Sequence, residues 1–178
     1  MQASFDAVPG ADTLPGISLL RMGVGQTAYA VPIGCVREIL QITRLTPLPR
    51  TPAFVKGVMN MRGAVVPVID LSARLGHSPS DQGRRACVVV VDGKPLVDAE
   101  NEPSDVTVPI GLLVETVYEV FDGAPEDAEA VPAFGTDVMP EYLLGITRVR
   151  GQSIGILSLE HVLSPTLLAE AIAQAQLQ

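Results

Sequence analysis

The chain has 178 residues, of which 47% are apolar, but only seven are aromatic and none is Trp. A core built from Val, Ile, Leu and Ala favours β-strands over long amphipathic helices. The net charge of −8 argues against nucleic acid or anionic lipid as the main ligand, since both reward clustered Lys and Arg.

The start of the chain shows no targeting signal. Residues 1–16 contain two Pro-Gly pairs and no sustained apolar period, which predicts a flexible leader. The opening lacks the basic and apolar runs of a secretory signal, and no apolar run approaches the ~20 residues of a membrane helix. Cys35 and Cys87 match no metal or redox spacing. We therefore expect a soluble cytoplasmic protein whose two cysteines are reduced core residues.

Short strands dominate the first third of the chain. Residues 17–22 and 28–33 predict two strands around a turn at 23–25, which contains two glycines. The stretch VREILQITRLTPLP, residues 36–49, is rich in β-formers until prolines interrupt it at 47–52. Because proline donates no backbone hydrogen bond, that interruption cannot lie in a central strand.

The segment 57–76, GVMNMRGAVVPVIDLSARLG, contains two apolar runs that meet at Arg62 and Gly63. This pattern predicts a tight β-hairpin with glycine at a positive φ, followed by a helical turn over 71–75. The segment 145–164, GITRVRGQSIGILSLEHVLS, repeats the layout 88 residues later. The chain therefore contains a degenerate twofold repeat.

A fainter echo supports the repeat, because VREIL at 36–40 is matched 81 residues later by VYEVF at 117–121. Each half then holds about five short strands, which predicts two small β-barrels and an all-β fold with short helices. Barrels also remove exposed strand edges.

Two acidic segments and a helix complete the reading of the chain. Residues 92–105 predict an exposed loop that interrupts a hairpin between 86–91 and 106–114. Residues 122–140 have too little apolar content to pack continuously. Residues 164–178 open with a Ser-Pro cap and predict a short C-terminal helix that docks on the body.

Charge divides along the chain. Residues 17–85 hold nine basic and three acidic side chains, whereas residues 92–141 hold thirteen acids and one base, Lys94. We expect one mildly positive and one strongly acidic part, which suits oriented contacts with more than one surface.

The sequence carries few parts for catalysis. His77 and His161 are the only histidines, and each lies at the end of its own hairpin block. Ser78 and Ser80 are ordinary turn residues, and there is no phosphate loop, metal motif or paired carboxylate in an apolar context. We expect no enzymatic activity, no metal and no cofactor.

Charged and polar residues do stand within the apolar strand sequence. Glu38 lies in VREIL, and Asn60 and Arg62 lie in GVMNMRG. If the two strands are neighbours, Glu38 and Arg62 form a partly buried ion pair. At this point the pair serves equally well as a structural clasp or as part of a binding surface.

The succession YAVPIGCVREIL followed by LTPLPRTPAFVKGVMNMRGAVVPVIDLSARLG closely resembles the signature of the CheW-like domain. The later GLLVETVYEV and YLLGITRVRGQSIGILSLEHVL resemble the second half of that domain. The resemblance covers residues 17–163, between the leader and the C-terminal helix.

The resemblance implies two intertwined SH3-like five-stranded barrels and an adaptor role in chemotaxis. Such domains bind the tip of chemoreceptors in a groove between barrels, bind the regulatory domain of the histidine kinase CheA, and are candidates to bind other CheW-like domains. The family's interaction region falls, by position, on Val36, Glu38, Ile39, Gly57, Val58, Asn60, Arg62 and Gly63. Glu38 and Arg62 are the leading contact pair.

Three alternatives remain at this stage. Within the family, the chain could serve a pilus or another non-flagellar chemosensory pathway. From other classes, a small-barrel nucleic-acid module requires a basic face with stacking aromatic residues, and a metabolite-binding module requires a pocket with convergent polar groups.

Overall fold

A computed structural model describes residues 17–93, 107–123 and 140–164. The predicted leader, most of the predicted acidic loop and nearly all of the predicted C-terminal helix lie outside the described residues. Among the described residues, no helix has the length and apolar character needed to span a membrane.

The described residues form ten strands and two short helices. The elements follow one another as β1 Ile17–Val24, β2 Thr27–Pro32, β3 Val36–Gln41, β4 Val55–Met61, β5 Ala64–Asp70, α1 Leu71–Arg74, β6 Cys87–Gly93, β7 Val108–Val114, β8 Thr116–Gly123, β9 Leu143–Val149, β10 Gln152–Leu157 and α2 Leu159–Val162. Two 3₁₀ turns, Ile33–Cys35 and Pro140–Tyr142, precede β3 and β9.

The strands form two five-stranded sheets. The first sheet has the order β3-β6-β7-β5-β4 and the second has the order β8-β1-β2-β10-β9. The all-β class is thus confirmed. The two sheets are not the two halves of the chain, however, because β1 and β2 leave the first half and join the second sheet. There β2 pairs in parallel with β10, just as β7 pairs in parallel with β5 in the first sheet.

The repeat at an offset of 88 is confirmed residue by residue. Hairpin β4–β5 and helix α1 correspond to hairpin β9–β10 and helix α2 with the same spacing. At the turn of each hairpin, Arg62 and Arg150 have φ values of 53° and 51°, and Gly63 and Gly151 have φ values of 86° and 79°. The fainter echo also holds, since β3 and β8 are the equivalent edge strands of the two sheets.

Three clusters of buried side chains hold the sheets together. The first sheet encloses one cluster that includes Val66, Val68, Val88 and Val90, and the second sheet encloses a smaller one around Ile154. The third cluster lies between the sheets and draws on both of them. Among the described residues it holds 17 buried side chains, against seven and four in the other two. The sheets therefore share their largest core and form one folding unit.

This arrangement explains the continuous apolar runs of the central strands. In β6, Val88 and Val90 face the interior of the first sheet, while Val89 and Val91 face the shared core. Because both faces of the strand are buried, its sequence does not alternate between polar and apolar residues.

Arg74 contacts both repeats of the chain. The Arg74 Nε in α1 donates a hydrogen bond of 2.8 Å to the carbonyl oxygen of Val162 in α2. Its guanidinium carbon lies 5.1 Å from the ring centres of both Phe54 and Tyr142. These two aromatic residues are themselves 88 positions apart, so Arg74 contacts equivalent positions of the two repeats.

The two predicted five-stranded SH3-like units are confirmed, although in the described part of the chain neither closes through a continuous strand ladder. Within the described ranges, the backbone ladder of each sheet is open, and β3 and β4 remain the edges of the first sheet. The segment after β3 covers the outer side of β4 instead, where Thr46 and Val58 exchange two backbone hydrogen bonds of 2.8 and 2.9 Å. The edge is thus protected by a local bridge.

The cysteines lie less deep than the sequence suggested. Cys35 and Cys87 are both free thiols of intermediate exposure. Burial raises the pKa of both thiols, and the negative charge of Asp92 raises that of Cys35 further. Both groups therefore remain protonated near neutral pH.

Candidate protein-binding surface

The predicted ion pair between Glu38 and Arg62 is present. The Arg62 Nη2 donates to the Glu38 Oε1 across 2.8 Å. Glu38 and Arg62 do not belong to neighbouring strands, because β3 and β4 are the two opposite edges of the first sheet. The curvature of the sheet brings these edges together, and the ion pair spans the seam between them.

The pair is exposed to solvent, chiefly on the arginine side. The Arg62 side chain is 78% accessible, and that of Glu38 is 25% accessible. An ion pair with this exposure contributes between ~0 and 1 kcal/mol to folding. The stability of the sheet thus depends little on this pair, which leaves the guanidinium available for contact with another surface.

Asn60 and two glycines fix the shape of the backbone around Arg62. The Asn60 Oδ1 accepts a hydrogen bond of 3.0 Å from the Gly63 backbone N–H, which closes the hairpin turn. Gly63 has a φ of 86°, and Gly57 has a φ of 136°. A Cβ at Gly57 would overlap the carbonyl oxygen of Thr46. These three residues support the surface through backbone geometry.

The remaining predicted residues differ in exposure. Val36 is partly buried and packs against the shared core, and Val58 is partly buried next to the Thr46 bridge. Ile39 is 41% exposed on the outer face of β3. The sequence analysis missed Val65, which is 68% exposed on β5. Val65 follows the hairpin turn, two residues after the exposed Gly63. Because residues two positions apart in a strand share a face, this spacing could have identified it.

The second sheet carries an equivalent carboxylate with a different partner. Glu119 of β8 occupies the position of Glu38, but its Oε1 lies 3.0 Å from the Arg21 Nη1 of the adjacent strand β1. Partial burial raises the pKa of Glu119, but the hydrogen bond from Arg21 and the charges of Arg21 and Arg150 outweigh burial and lower the pKa overall. The carboxylate is therefore ionised at neutral pH.

The register of the strands makes this difference explicit. Glu38 lies opposite Val90 in the first sheet, and Arg21 takes the position of Val90 in the second sheet. An apolar side chain at 0% exposure is thus replaced by an arginine whose side chain is 16% exposed. Arg21 also lies over the ring of Tyr118, with 4.5 Å between the guanidinium carbon and the ring centre.

The second sheet carries another group of exposed apolar residues. Tyr118 and Val120 alternate with Glu119 along β8 and are 47% and 50% exposed, and Leu144 of β9 is 53% exposed. The sequence placed Tyr118 and Val120 in the strand echo at 117–121, but no contact residue was predicted in the second half of the chain. The alternation of partly buried and exposed residues along β8 is the same as along β3.

A cavity of about 440 Å³ lies where the first sheet meets α2. The first sheet and its 3₁₀ turn contribute Cys35, Asp92 and Gly93, and the second repeat contributes Leu159 and Leu163. Val36 follows directly after the turn that contains Cys35. A mainly apolar cleft between the sheets at this point suits an inserted helix side chain.

The histidines do not form a catalytic arrangement. The His77 Nε2 lies 3.1 Å from the Tyr29 hydroxyl oxygen, and the His161 Nδ1 lies 2.8 Å from the Ser158 hydroxyl oxygen. The first contact joins strand β2 to the turn after α1, and the second lies between the N-cap residue of α2 and that helix. The described part of the chain also contains no group of three or more potential metal-binding side chains.

The fold and this surface define a class of β-protein. Two equivalent SH3-like lobes, each formed by one five-stranded sheet, share one core. Each lobe has an ion pair at an edge strand and exposed apolar side chains. A family model described as the CheW-like domain matches residues 18–166. The chain therefore belongs to the CheW-like family of chemotaxis scaffold proteins.

Individual relatives support this assignment. The chain is 33% identical to the chemotaxis protein CheW of Rhizobium meliloti (strain 1021) over 147 residues, which cover 83% of this chain and 87% of that protein. It is 30% identical to the protein FrzA of Myxococcus xanthus over 177 residues, covering 95% and 98% of the two chains. The crystal structure of the scaffolding protein TtCheW from Thermoanaerobacter tengcongensis shares the fold, with a TM-score of 0.71, 24% identity, and coverage of 83% and 92%.

Proposed function

We propose that this chain is a non-enzymatic cytoplasmic adaptor that couples the tips of chemoreceptors to a CheA-type histidine kinase. Its membership of the CheW-like family carries the proposal, and the two equivalent lobes provide it with more than one surface. In this role the adaptor transmits a change of conformation between partners and performs no chemistry.

The kinase regulatory domain docks, in this proposal, on the seam of the first sheet. Exposed Ile39 and Val65 provide apolar area there, and the Glu38–Arg62 pair provides a polar centre with an accessible guanidinium. Arginine flanked by apolar side chains is a common composition for a contact that dominates binding. The proposed contact set is Val36, Glu38, Ile39, Gly57, Val58, Asn60, Arg62 and Gly63.

The receptor tip, in the same proposal, inserts between the two sheets near Cys35 and Val36. The cleft there has Cys35 and Asp92 on one side and the apolar side chains of Leu159 and Leu163 on the other, and we expect it to accept a helix side chain. The adaptor is thereby recruited to arrays of receptors at the membrane without inserting into it. Several modest contacts of this kind give a reversible assembly with useful overall affinity.

The pathway is a separate part of the proposal. A relative with a name other than CheW, FrzA of Myxococcus xanthus, matches nearly the whole chain. An adaptor of a pilus or another non-flagellar chemosensory pathway is therefore the second candidate, and it uses the same surfaces.

The decisive experiment measures binding to the regulatory domains of the CheA-type kinases of the same organism. Arg62→Ala is compared with the wild type and with Arg150→Ala, which changes the equivalent turn residue at nearly the same φ. We expect Arg62→Ala to weaken binding about tenfold, with a smaller effect of Arg150→Ala and matched thermal stability for all three proteins.

Three other outcomes would change the proposal. Unchanged binding by Arg62→Ala would remove Arg62 from the contact surface, and an equal loss in both variants would place the effect outside the first-sheet seam. Binding to no kinase regulatory domain would reject the coupling role. Adding a receptor-tip fragment to the preformed complex of adaptor and kinase domain then tests the proposed receptor binding, since the adaptor must bind both partners at once.

A further inference from the structure

A basic cavity opens on the side of the molecule where β6 and β8 begin. Its volume is about 300 Å³. The first sheet contributes Gln41 and Cys87, and the second sheet contributes Thr116, Val117 and Tyr118. The cavity therefore lies between the two sheets, at the end of β3 that is farthest from the cleft near Cys35.

Arg84 and Arg85 line this cavity and carry its charge. Both are exposed, and within the described ranges neither guanidinium group has a hydrogen bond or ion pair. A backbone hydrogen bond of 3.1 Å from Ala86 to Gly83 closes the turn that contains them. The Cys87 Sγ lies 3.2 Å from the Arg85 carbonyl oxygen, which restrains the turn further. The backbone that carries the two arginines is thus restrained at the wall of the cavity.

The acidic residues beside Thr116 and Tyr118 in sequence do not neutralise these arginines. The Glu115 carboxylate accepts a hydrogen bond of 3.1 Å from the Asp81 backbone N–H, and Glu119 is bound to Arg21. Among the described residues, the cavity therefore has two positive charges without an ionic partner, on a protein whose net charge is −8.

Tyr118 provides the apolar side of the same surface. Its ring is 47% exposed and forms part of the cavity wall. Arg21 lies over this ring, which limits its rotation. A ligand that enters the cavity thus meets two guanidinium groups beside a restrained aromatic ring.

We propose that this cavity is a docking site for an acidic segment of a protein partner, with its carboxylates on Arg84 and Arg85 and an apolar side chain against Tyr118. The site is separate from the Glu38–Arg62 seam and does not depend on it. Charge complementarity selects the partner class. A short acidic segment brings its charges only to the cavity, whereas a membrane or a nucleic acid brings an extended negative surface against a chain of net charge −8.

The test uses the full chain and a fluorescein-labelled peptide of three Glu-Ala-Asp-Leu repeats, followed by fluorescence anisotropy. A peptide of three Gln-Ala-Asn-Leu repeats is the neutral counterpart. We expect the acidic peptide to bind, the neutral one to bind weakly, and Arg84→Ser/Arg85→Ser to weaken acidic-peptide binding about fivefold or more. Added salt should weaken binding in the same direction.

Matched variants separate this site from general electrostatics. Arg44→Ser/Arg50→Ser removes the same net charge from exposed arginines that do not line the cavity, and it should retain most of the binding. Arg84→Lys/Arg85→Lys keeps the charge and should retain more binding than the serine variant. Because all four substituted positions are exposed, unfolding temperatures should stay close to that of the wild type.

Several results would overturn the proposal. They are equal losses in the two serine variants, absence of binding to the acidic peptide, and equal binding of the acidic and neutral peptides. Tighter binding to a 20-residue oligothymidine or to phosphatidylserine vesicles, with the same dependence on Arg84 and Arg85, would assign the cavity to a different class of partner.

Discussion

The two sheets have nearly the same backbone but different chemistry at their seams. In the first sheet, Glu38 reaches across the seam to Arg62, whereas in the second sheet Glu119 turns to Arg21 on the adjacent strand. The turn residues Arg62 and Arg150 keep almost the same φ. The comparison shows that an equivalent backbone does not determine the ionic partner of an equivalent carboxylate.

The exposed apolar residues differ as well. Ile39 and Val65 are exposed on the first sheet, whereas Tyr118, Val120 and Leu144 are exposed on the second. Ile39 and Val120 are equivalent positions, but the other exposed residues are not. The two lobes therefore present surfaces of similar shape and different composition, which allows each to select its own partner.

The largest expected effect tests whether the two sheets depend on one shared core. Leu112→Ala removes a fully buried side chain between the sheets, and Leu113→Ala removes its neighbour from the interior of the first sheet. Both should lower the free energy of unfolding by about 3 kcal/mol. In hydrogen exchange, Leu112→Ala should reduce protection in both sheets and Leu113→Ala chiefly in the first. Loss of protection confined to one sheet in both variants would contradict the shared core.

The next largest change in stability is expected at β4, an edge strand of the first sheet. Gly57→Ala forces a Cβ against the backbone of Thr46 at a φ of 136°, so we expect a loss of roughly 3 kcal/mol, measured by urea unfolding. Thr46→Ser is a mild control because the contact involves the backbone of residue 46. A loss below about 1 kcal/mol would show that the covering segment moves away from β4 easily.

The sequence predicted the local features of this fold better than the long-range ones. The hairpin turn at Arg62 and Gly63 and its repeat were predictable because glycine and alternating apolar residues act over a few positions. The parallel pairing of β2 with β10 was not, since no local pattern specifies a partner more than one hundred residues away. For the same reason, the Glu38–Arg62 pair was predicted through an incorrect assumption that their strands are neighbours.

The candidate surfaces show the same limit. Arg21 is the one charged residue of strand β1, and its partner Glu119 lies 98 residues away. Only the folded chain brings them together with Tyr118. Arg84 and Arg85 likewise gain their proposed significance from Tyr118, which belongs to the other sheet.

A smaller effect tests whether the two hairpin turns remain equivalent in energy. Gly63→Ala and Gly151→Ala each place a methyl group in open space but at φ values of 86° and 79°. We expect each substitution to lower the free energy of unfolding by about 1 kcal/mol. The added methyl group meets no other atom, so the only cost is the backbone strain of alanine at a positive φ. Differential scanning calorimetry on the two variants measures this directly. A difference greater than about 1 kcal/mol between them would show that one turn has contacts that the other lacks.

The smallest effect concerns the ion pairs themselves and is measured by double-mutant cycles. The Glu38→Gln/Arg62→Gln cycle should give a coupling energy of about 0.5 kcal/mol or less, because Arg62 is largely exposed. The Glu119→Gln/Arg21→Gln cycle should give a larger coupling, since Arg21 is mostly buried. A larger coupling energy for Glu38–Arg62 than for Glu119–Arg21 would contradict this expected difference between the two seams.

The same cycles at acidic pH separate the two pairs further. The pKa of Glu119 is lowered in the folded protein, so its contribution to stability is present above the pKa of the unfolded chain. That contribution is lost as the pH falls through the lower folded-state pKa. The coupling of Glu119 with Arg21 should therefore persist near neutral pH and fade only below the ordinary pKa of a glutamate carboxyl group. A coupling that does not change over this range would mean that the hydrogen bond from Arg21 does not depend on the carboxylate charge.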